Sequence, residues 1–369
     1  MPTTVFFLNM KEDWLKFKKY PHIGEPLTKN RHNGWLRSYI TDPQNIVRHK
    51  FVPLIHRTIS QRKYRPTEAS GKNANGKRKR IIGDKKVRHI YYASHLDSII
   101  YSYYCHLLSS AYEKYLEDKP YRDVAVAYRR IPVQTNKGGN KCNIDFAYEA
   151  LEFIERNKHR RLSVIVADVT SFFDNLNHRL LHSKWKRVLN VETLPDDHYA
   201  IYKSLISNRY VNENELFKRF QHKLIVERFK PHDTSIKTLR RKRVNKIYNM
   251  HHERVVAFCS KDEFFAEATD LIRTDKPTNN KVRNLRGMPS LKGIPQGTPI
   301  SATLANIYML DFDEKLQSAT TENNAYYQRY SDDLIIICDQ EDEKYYYDLI
   351  SEEIENKAHL EIQLRKTKV

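Results

Sequence analysis

Three aspartates stand where carboxylates can do chemistry. Asp168 closes the β-rich run Leu162-Ser163-Val164-Ile165-Val166-Ala167. Asp332 and Asp333 fall at the tip of an expected hairpin whose second arm is Leu334-Ile335-Ile336-Ile337-Cys338. A charge at the end of a buried strand costs free energy unless something meets it. Carboxylate oxygens suit hard divalent cations, and three such groups are the ligand set for two Mg²⁺ ions about 4 Å apart. An ion pair of that kind activates a 3′-hydroxyl and neutralises a leaving pyrophosphate. Taken alone, Tyr330-Ser331-Asp332-Asp333 also fits an ordinary polar turn, since Ser and Asp favour turns.

The rest of the composition says what such a site would meet. The 369 residues hold 64 Lys+Arg against 45 Asp+Glu, a formal charge of +19. The charge is segregated. Residues 57–88 carry 12 Lys and Arg against 2 acids, and residues 217–246 carry 11 against 2. Residues 311–369 reverse the balance, with 15 acids against 7 basic residues. Two cationic stretches beside an acidic end suit phosphate tracking by one part and metal-dependent chemistry in another, although each run also fits a solvated face. Rings such as Tyr64, Tyr91 and Tyr92 interleave with the basic residues, as unpaired bases require. Those from Tyr101 to Tyr115 follow helical spacing and read as core.

Several classes drop out. Apolar residues make up 40% of the chain, too many for a disordered polymer. No run approaches the 18 or so apolar residues of a membrane span, and Met1–Leu8 lacks the basic start of a secretion signal. Cys105, Cys142, Cys259 and Cys338 lie far apart without a CxxC pair, against a disulfide scaffold or a zinc ribbon. His251-His252 with Cys259 lacks a fourth zinc ligand and reads as solvated histidines. The expectation is a soluble, cytoplasmic protein without a membrane role.

The elements that must position the aspartates follow from periodicity. Residues 1–55, punctuated by Pro21, Gly24, Pro26, Gly34, Pro43 and Pro53, read as a mixed N-terminal extension. Arg80-Ile81-Ile82 and Val87–Ile90 read as strands near a Gly- and Asn-rich tip at 70–76. Helices are expected over 96–116, 144–157 and 299–316, the last with Ser301 as a possible cap. Strands are expected over 162–167, 326–329 and 334–338. Residues 206–290 show no clean periodicity and read as a basic insertion.

Read together, the segments resemble reverse transcriptases, particularly the bacterial retron, group II intron-like and antiviral defence-associated kinds. Tyr330-Ser331-Asp332-Asp333 is similar to their YxDD box. Asp168-Val169-Thr170-Ser171-Phe172-Phe173-Asp174 resembles the first palm motif, and Ile294-Pro295-Gln296-Gly297-Thr298-Pro299-Ile300-Ser301, running on to Asn306, the segment between them. Leu360–Thr367 is similar to the next palm motif, with Lys366 in the lysine position. Lys86-Val87-Arg88, with Asp97, resembles the fingers motif that grips the triphosphate. Lys137–Lys141 is weakly similar to a template-contacting loop. The five motifs run in the family's order over roughly 85–369.

The resemblance implies an α+β right-hand polymerase fold, with an antiparallel palm sheet, packed helices and a thumb missing from the chain. It divides the sequence into fingers (56–160), palm (161–205 and 291–369) and the insertion (206–290). It implies an RNA-directed DNA polymerase that adds dNTPs. Asp168, Asp332, Asp333 and the Val169 carbonyl would hold two Mg²⁺, with Mn²⁺ as a substitute, and Lys366 would serve as proton donor. Lys86, Arg88, Gln296 and Gly297 would bind the nucleotide, and Phe173 would lie under the sugar and select against a 2′-hydroxyl. Its ordinary alternative is core packing beside Phe172. Arg240, Arg241, Lys242 and Arg243 are expected to contact RNA. The partners expected are an RNA template, for preference a structured non-coding RNA, and the DNA product. A protein partner or further segment supplying a thumb, and an oligomer, are compatible. Two other readings stay open: a template-independent or self-primed DNA polymerase, and a non-catalytic RNA-binding scaffold.

Overall fold

In the computed structural model, residues 14–66, 71, 76–77, 80–134, 137–230, 232–274 and 292–362 are described. The stretch read as a mixed N-terminal extension carries β1 (His22–Ile23), α1 (Lys29–Thr41) and α2 (Pro43–Arg48). Pro21, Pro26 and Pro53 lie outside these elements, whereas Pro43 opens α2. Asp42 caps α2 by accepting from the Gln44 amide, with Pro43 at the first helical position, where its missing N–H costs nothing. Leu36, Ile40 and Ile46 are fully buried, so the segment is part of the core.

β2 (Leu54–Pro66) and β3 (Arg80–Tyr92) form one long antiparallel hairpin, with the two short strands expected near residue 85 merged into β3. Ser94 caps α3 (His95–Leu116) through the Asp97 amide, and Tyr101, Tyr104, Leu108 and Tyr112 face the core as their spacing predicted. Asp97 itself is buried, accepting from His49 Nε2 at 2.7 Å and the Val52 amide at 2.9 Å. It ties the start of α3 to the chain that leads into β2. The hairpin β4 (Pro132–Gln134) and β5 (Lys137–Asn140) leads into α4 (Asn143–Arg156).

β6 (Leu162–Asp168) is followed by α5 (Phe172–Asn175), α6 (His178–Leu189) and α7 (Asp196–Ile206). The expected insertion is regular: β7 (Arg209–Asn212), α8 (Glu213–Phe220), β8 (Leu224–Lys230), β9 (Asp233–Lys242), β10 (Val255–Cys259), α9 (Lys261–Glu267) and β11 (Arg273–Thr274). Its own apolar cluster contains Leu216, Phe220, Leu224, Val226, Phe258 and Phe264, joined by Ile23 and Ile55 from the N-terminal region. At about 1.5–3 kcal/mol per fully buried large side chain, such a cluster outweighs weak local propensity. The sheet β1-β10-β8-β9 covers it, and a second sheet runs β11-β7-β2-β3.

Farther on, α10 (Ser301–Tyr308) and α11 (Leu310–Glu322) break at Met309 where one helix was expected. Ser301 is the first helical residue, not a cap; its hydroxyl donates instead to the Pro295 carbonyl. β12 (Tyr326–Tyr330), β13 (Asp333–Asp339) and α12 (Glu343–Glu352) complete the fold. A three-stranded antiparallel sheet, β12-β13-β6, packs Ile165, Ala167, Leu334 and Ile336 against Ile100, Trp185 and Leu304 of the helices. The architecture is α+β, with antiparallel sheets and packed helices. Among the described residues no helix is long and apolar enough to cross a membrane.

Candidate active site

Strand register assembles the carboxylates. β13 runs antiparallel to β6 with Asp333 opposite Asp168, and antiparallel to β12 with Asp333 opposite Tyr330. Two residues, Ser331 and Asp332, make the turn. Ser331 adopts φ +62°, the positive angle a two-residue hairpin needs at its first position. The Asp332 carbonyl accepts the Val169 amide at 3.0 Å, tying the turn to the residue after Asp168. All three aspartates therefore share one end of one sheet. Asp168 is 7% exposed, Asp332 is half-buried, and Asp333 reaches solvent.

The electrostatics fit an oxygen-only cation site. Partial burial, and next the charge of Asp332, push the Asp333 carboxyl above its usual range, while Lys86 pulls it down. Repulsion between neighbouring carboxylates is what a divalent cation relieves, and hard cations prefer such donors. As the side chains stand, no three His, Cys, Asp or Glu groups among the described residues converge on one point. The fit thus rests on donor chemistry and backbone register.

The chain leaving Asp168 is held on its other side. Val169 bridges to Ile362, and the Thr170 amide donates to the Glu361 carbonyl at 2.7 Å, so Leu360–Ile362 lies beside the aspartates. Lys366 falls outside the described residues. Ser171 takes φ +44° and turns the chain into α5. There Phe172 is buried, and Phe173 is half-buried at the margin of the core, its ring 5.6 Å from that of Phe172.

The Gly293–Gly297 loop clamps this corner to the long hairpin. The Gly293 amide donates to the Leu176 carbonyl and the Ile294 amide to the Phe173 carbonyl, at 2.8 and 2.9 Å. On the opposite side the Tyr91 amide of β3 donates to the Gln296 carbonyl at 2.8 Å. Gly297 has φ +117°, and a Cβ there would lie 2.7 Å from the Tyr91 carbonyl oxygen. Gln296 and Gly297 are thus pinned between β3 and the chain that follows Asp168. Lys86 and Arg88 project from β3 as exposed side chains, and Lys86 is near enough to influence Asp333.

The insertion's basic quartet lies elsewhere, at the end of β9 and just beyond it. Arg241 pairs with Glu263 at 2.8 Å and Lys242 with Glu253 at 2.5 Å, whereas Arg240 and Arg243 are exposed. His251 and His252 are exposed and Cys259 is buried, in keeping with solvated histidines. Two charged residues close to the turn escaped sequence reasoning. Arg329 and Asp313 are each 1% exposed and form a forked ion pair under the hairpin. The available signal was a lone arginine in a strand otherwise built to be buried, since a buried cation demands a partner.

Residues 233–369 match the family model described as reverse transcriptase (RNA-dependent DNA polymerase). The match includes Asp332 and Asp333 but not Asp168, which the sheet register brings to them. No curated protein matches the chain. Among solved structures, a telomerase from Candida albicans in complex with a TWJ fragment of telomeric RNA is 12% identical, covering 92% of this chain and 47% of that one, with a TM-score of 0.41. An apo telomerase from Candida tropicalis, truncated from its C-terminal domain, is 13% identical, covering 94% and 57%, with a TM-score of 0.43. The chain spans about half the length of these structures.

Proposed function

We propose, from the match of residues 233–369 to the reverse transcriptase model, that the chain is a reverse transcriptase and copies RNA into DNA. The observation that carries the reading is the register that sets Asp333 opposite Asp168 while the Asp332 carbonyl binds the Val169 amide. Asp168, Asp332 and Asp333, with the Val169 carbonyl, would hold divalent cations, Mg²⁺ by preference. Bound there, such ions would lower the pKa of a primer hydroxyl and balance the charge leaving with pyrophosphate.

This chain's own groups do the rest. Lys86 and Arg88 meet the triphosphate, for which a guanidinium fork and an ammonium are suited. The backbone of Gln296 and Gly297, held against β3, lines the nucleotide pocket. Phe173 blocks the space a 2′-hydroxyl needs. Lys366 donates a proton to the leaving group. In this reading residues 56–160 form the fingers and 161–205 with 291–369 the palm. The +19 charge supports a structured RNA as template or companion, and what supports a role in antiviral defence is the resemblance of the motifs to defence-associated enzymes, beside retron and intron ones.

The test is primer extension on an RNA template with Mg²⁺ and labelled dNTPs, comparing wild type with Asp332→Asn. Asparagine keeps the size and polarity of the side chain while removing the charge. Extension by wild type and its loss in the variant are expected. Equal extension by both removes the assignment of Asp332.

A further inference from the structure

The site's most buried charge is not one of its aspartates. Arg329 lies on β12, two residues before Ser331, and only 1% of it meets solvent. Its Nε and Nη2 donate to the two carboxylate oxygens of Asp313, at 2.7 and 2.6 Å. Tyr327 Oη donates to the same carboxylate at 2.7 Å. The remaining arm, Nη1, donates to the Ser331 carbonyl at 2.9 Å and lies 3.4 Å from Asn306 Oδ1. The backbone of Arg329 is fixed as well: its amide donates to the Val124 carbonyl and its carbonyl accepts the Val126 amide, at 2.8 and 3.0 Å.

The turn therefore has both of its carbonyls held. Ser331 C=O is taken from beneath by a guanidinium that cannot move, and Asp332 C=O is taken by the Val169 amide. Between them Ser331 sits at φ +62°, a conformation that costs a non-glycine residue about 1–2 kcal/mol and needs an external hold. A buried ion pair is weak evidence for stability alone, because desolvation consumes most of the attraction.

We infer that Arg329, locked by Asp313, is a positioning residue: its grip on the Ser331 carbonyl fixes the left-handed turn from which Asp332 and Asp333 project. The inference rests on the polymerase reading above for its effect on rate, but the clamp itself is a property of the fold. Lysine could not replace it, because one ammonium cannot hold a carboxylate in a fork and a carbonyl on the far side.

The test separates aim from stability. In the triple variant Arg329→Met/Asp313→Leu/Tyr327→Phe the buried pair and its hydroxyl give way to apolar groups of similar size, an exchange that stability tolerates. Expected are cooperative unfolding close to wild type, kcat for dNTP incorporation down about a hundredfold and KM for dNTP within about twofold. Amide exchange at Val169 should speed up about tenfold or more relative to Ile165 in mid-strand, since a charged hydrogen bond to the turn is gone. Wild-type kcat with wild-type exchange at Val169 overturns the inference. Should the triple variant not fold, Arg329→Lys keeps the charge but not the fork, and unchanged exchange at Val169 in it overturns the inference equally. Exchange needs no catalysis, so a wild-type protein that incorporates no dNTP would fail the functional reading while leaving the clamp open to this measurement.

Discussion

Replacing Gly297 with alanine tests the joint between the long hairpin and the aspartate corner. Two costs arise. The backbone angle of φ +117° is one that L side chains rarely adopt, worth about 1–3 kcal/mol. The new Cβ would also stand 2.7 Å from the Tyr91 carbonyl oxygen and 2.9 Å from Ile90 Cγ2, both under the closest approach of real Cβ atoms. The loop must then back away from β3, which strains the 2.8 Å bond from the Tyr91 amide to the Gln296 carbonyl, itself worth about 1 kcal/mol. A total of about 2–4 kcal/mol is expected for these terms together. Gly139 supplies the control: its φ is +124°, but among the described residues nothing lies within 4 Å of the added atom. Gly139→Ala should therefore show the angular cost alone, about 1–3 kcal/mol. Urea unfolding of the two variants against wild type measures the difference, and dNTP titration in primer extension should show KM rising only for Gly297→Ala. If the two variants lose equal stability, the close approach of the loop to β3 is wrong, and with it the account of how Gln296 is placed.

Asp332→Asn should lower incorporation by three decades or more, about 4 kcal/mol in the barrier, with little change in the thermal melt. Phe173→Ala should shift the ratio of dNTP to rNTP efficiency by about a hundredfold, roughly 3 kcal/mol, whereas a purely packing role would lower the melt and leave the ratio alone. The Asp333 carboxyl is raised in the fold, so its contribution to stability is present at low pH and is lost as pH rises through the folded value. Asp333→Asn should thus be more stable than wild type at pH 7 and no more stable at pH 3; equal urea midpoints at pH 7 contradict the raising of this carboxyl by burial and by the Asp332 charge. Replacing Arg240 and Arg243 with Gln should reduce the log–log salt slope of RNA binding by about two units, one per phosphate contact. Arg241→Gln/Lys242→Gln should reduce it less, because those cations already face Glu263 and Glu253.

What the sequence made legible is the part where local pattern and final structure coincide. Strand β6 and the hairpin of β12 and β13 are short apolar runs ended by turn residues, and they emerge within a residue or two of their expected bounds. Helix α3 follows its stripe of rings. The insertion was illegible because its apolar residues complete a core only across sequence: Ile23 and Ile55 join Phe220 and Phe258 from two hundred residues away. On β8 the buried run is only Leu224, Ile225 and Val226, set between Lys223 and Glu227-Arg228, and Leu239 to Arg241 on β9 are exposed, which lowers the local signal to that of a polar loop. Prolines misled in the same way at the N-terminus. Pro43 signals a break in isolation, yet it begins α2 once Asp42 is there to cap it.

The aspartates were readable because chemistry demands their residue type; their support was not, because several residue types could supply it. Ser171 and Ser331 both take left-handed angles, one just after Asp168 and one just before Asp332. Neither is a glycine, so each carries a local penalty that the surroundings must offset. For Ser331 the offset is visible in the Arg329 guanidinium beneath its carbonyl and the Val169 amide on the next one. The Gly293–Gly297 loop meets the same corner from outside, bonding to Phe173 and Leu176 on one side and Tyr91 on the other. These bonds join four segments distant in sequence. A two-residue turn on an isolated hairpin would be free to relax; here it is fixed from below by a buried ion pair and from the side by β6. The precision that phosphoryl transfer demands of its carboxylates is thus supplied by residues that need never touch a substrate.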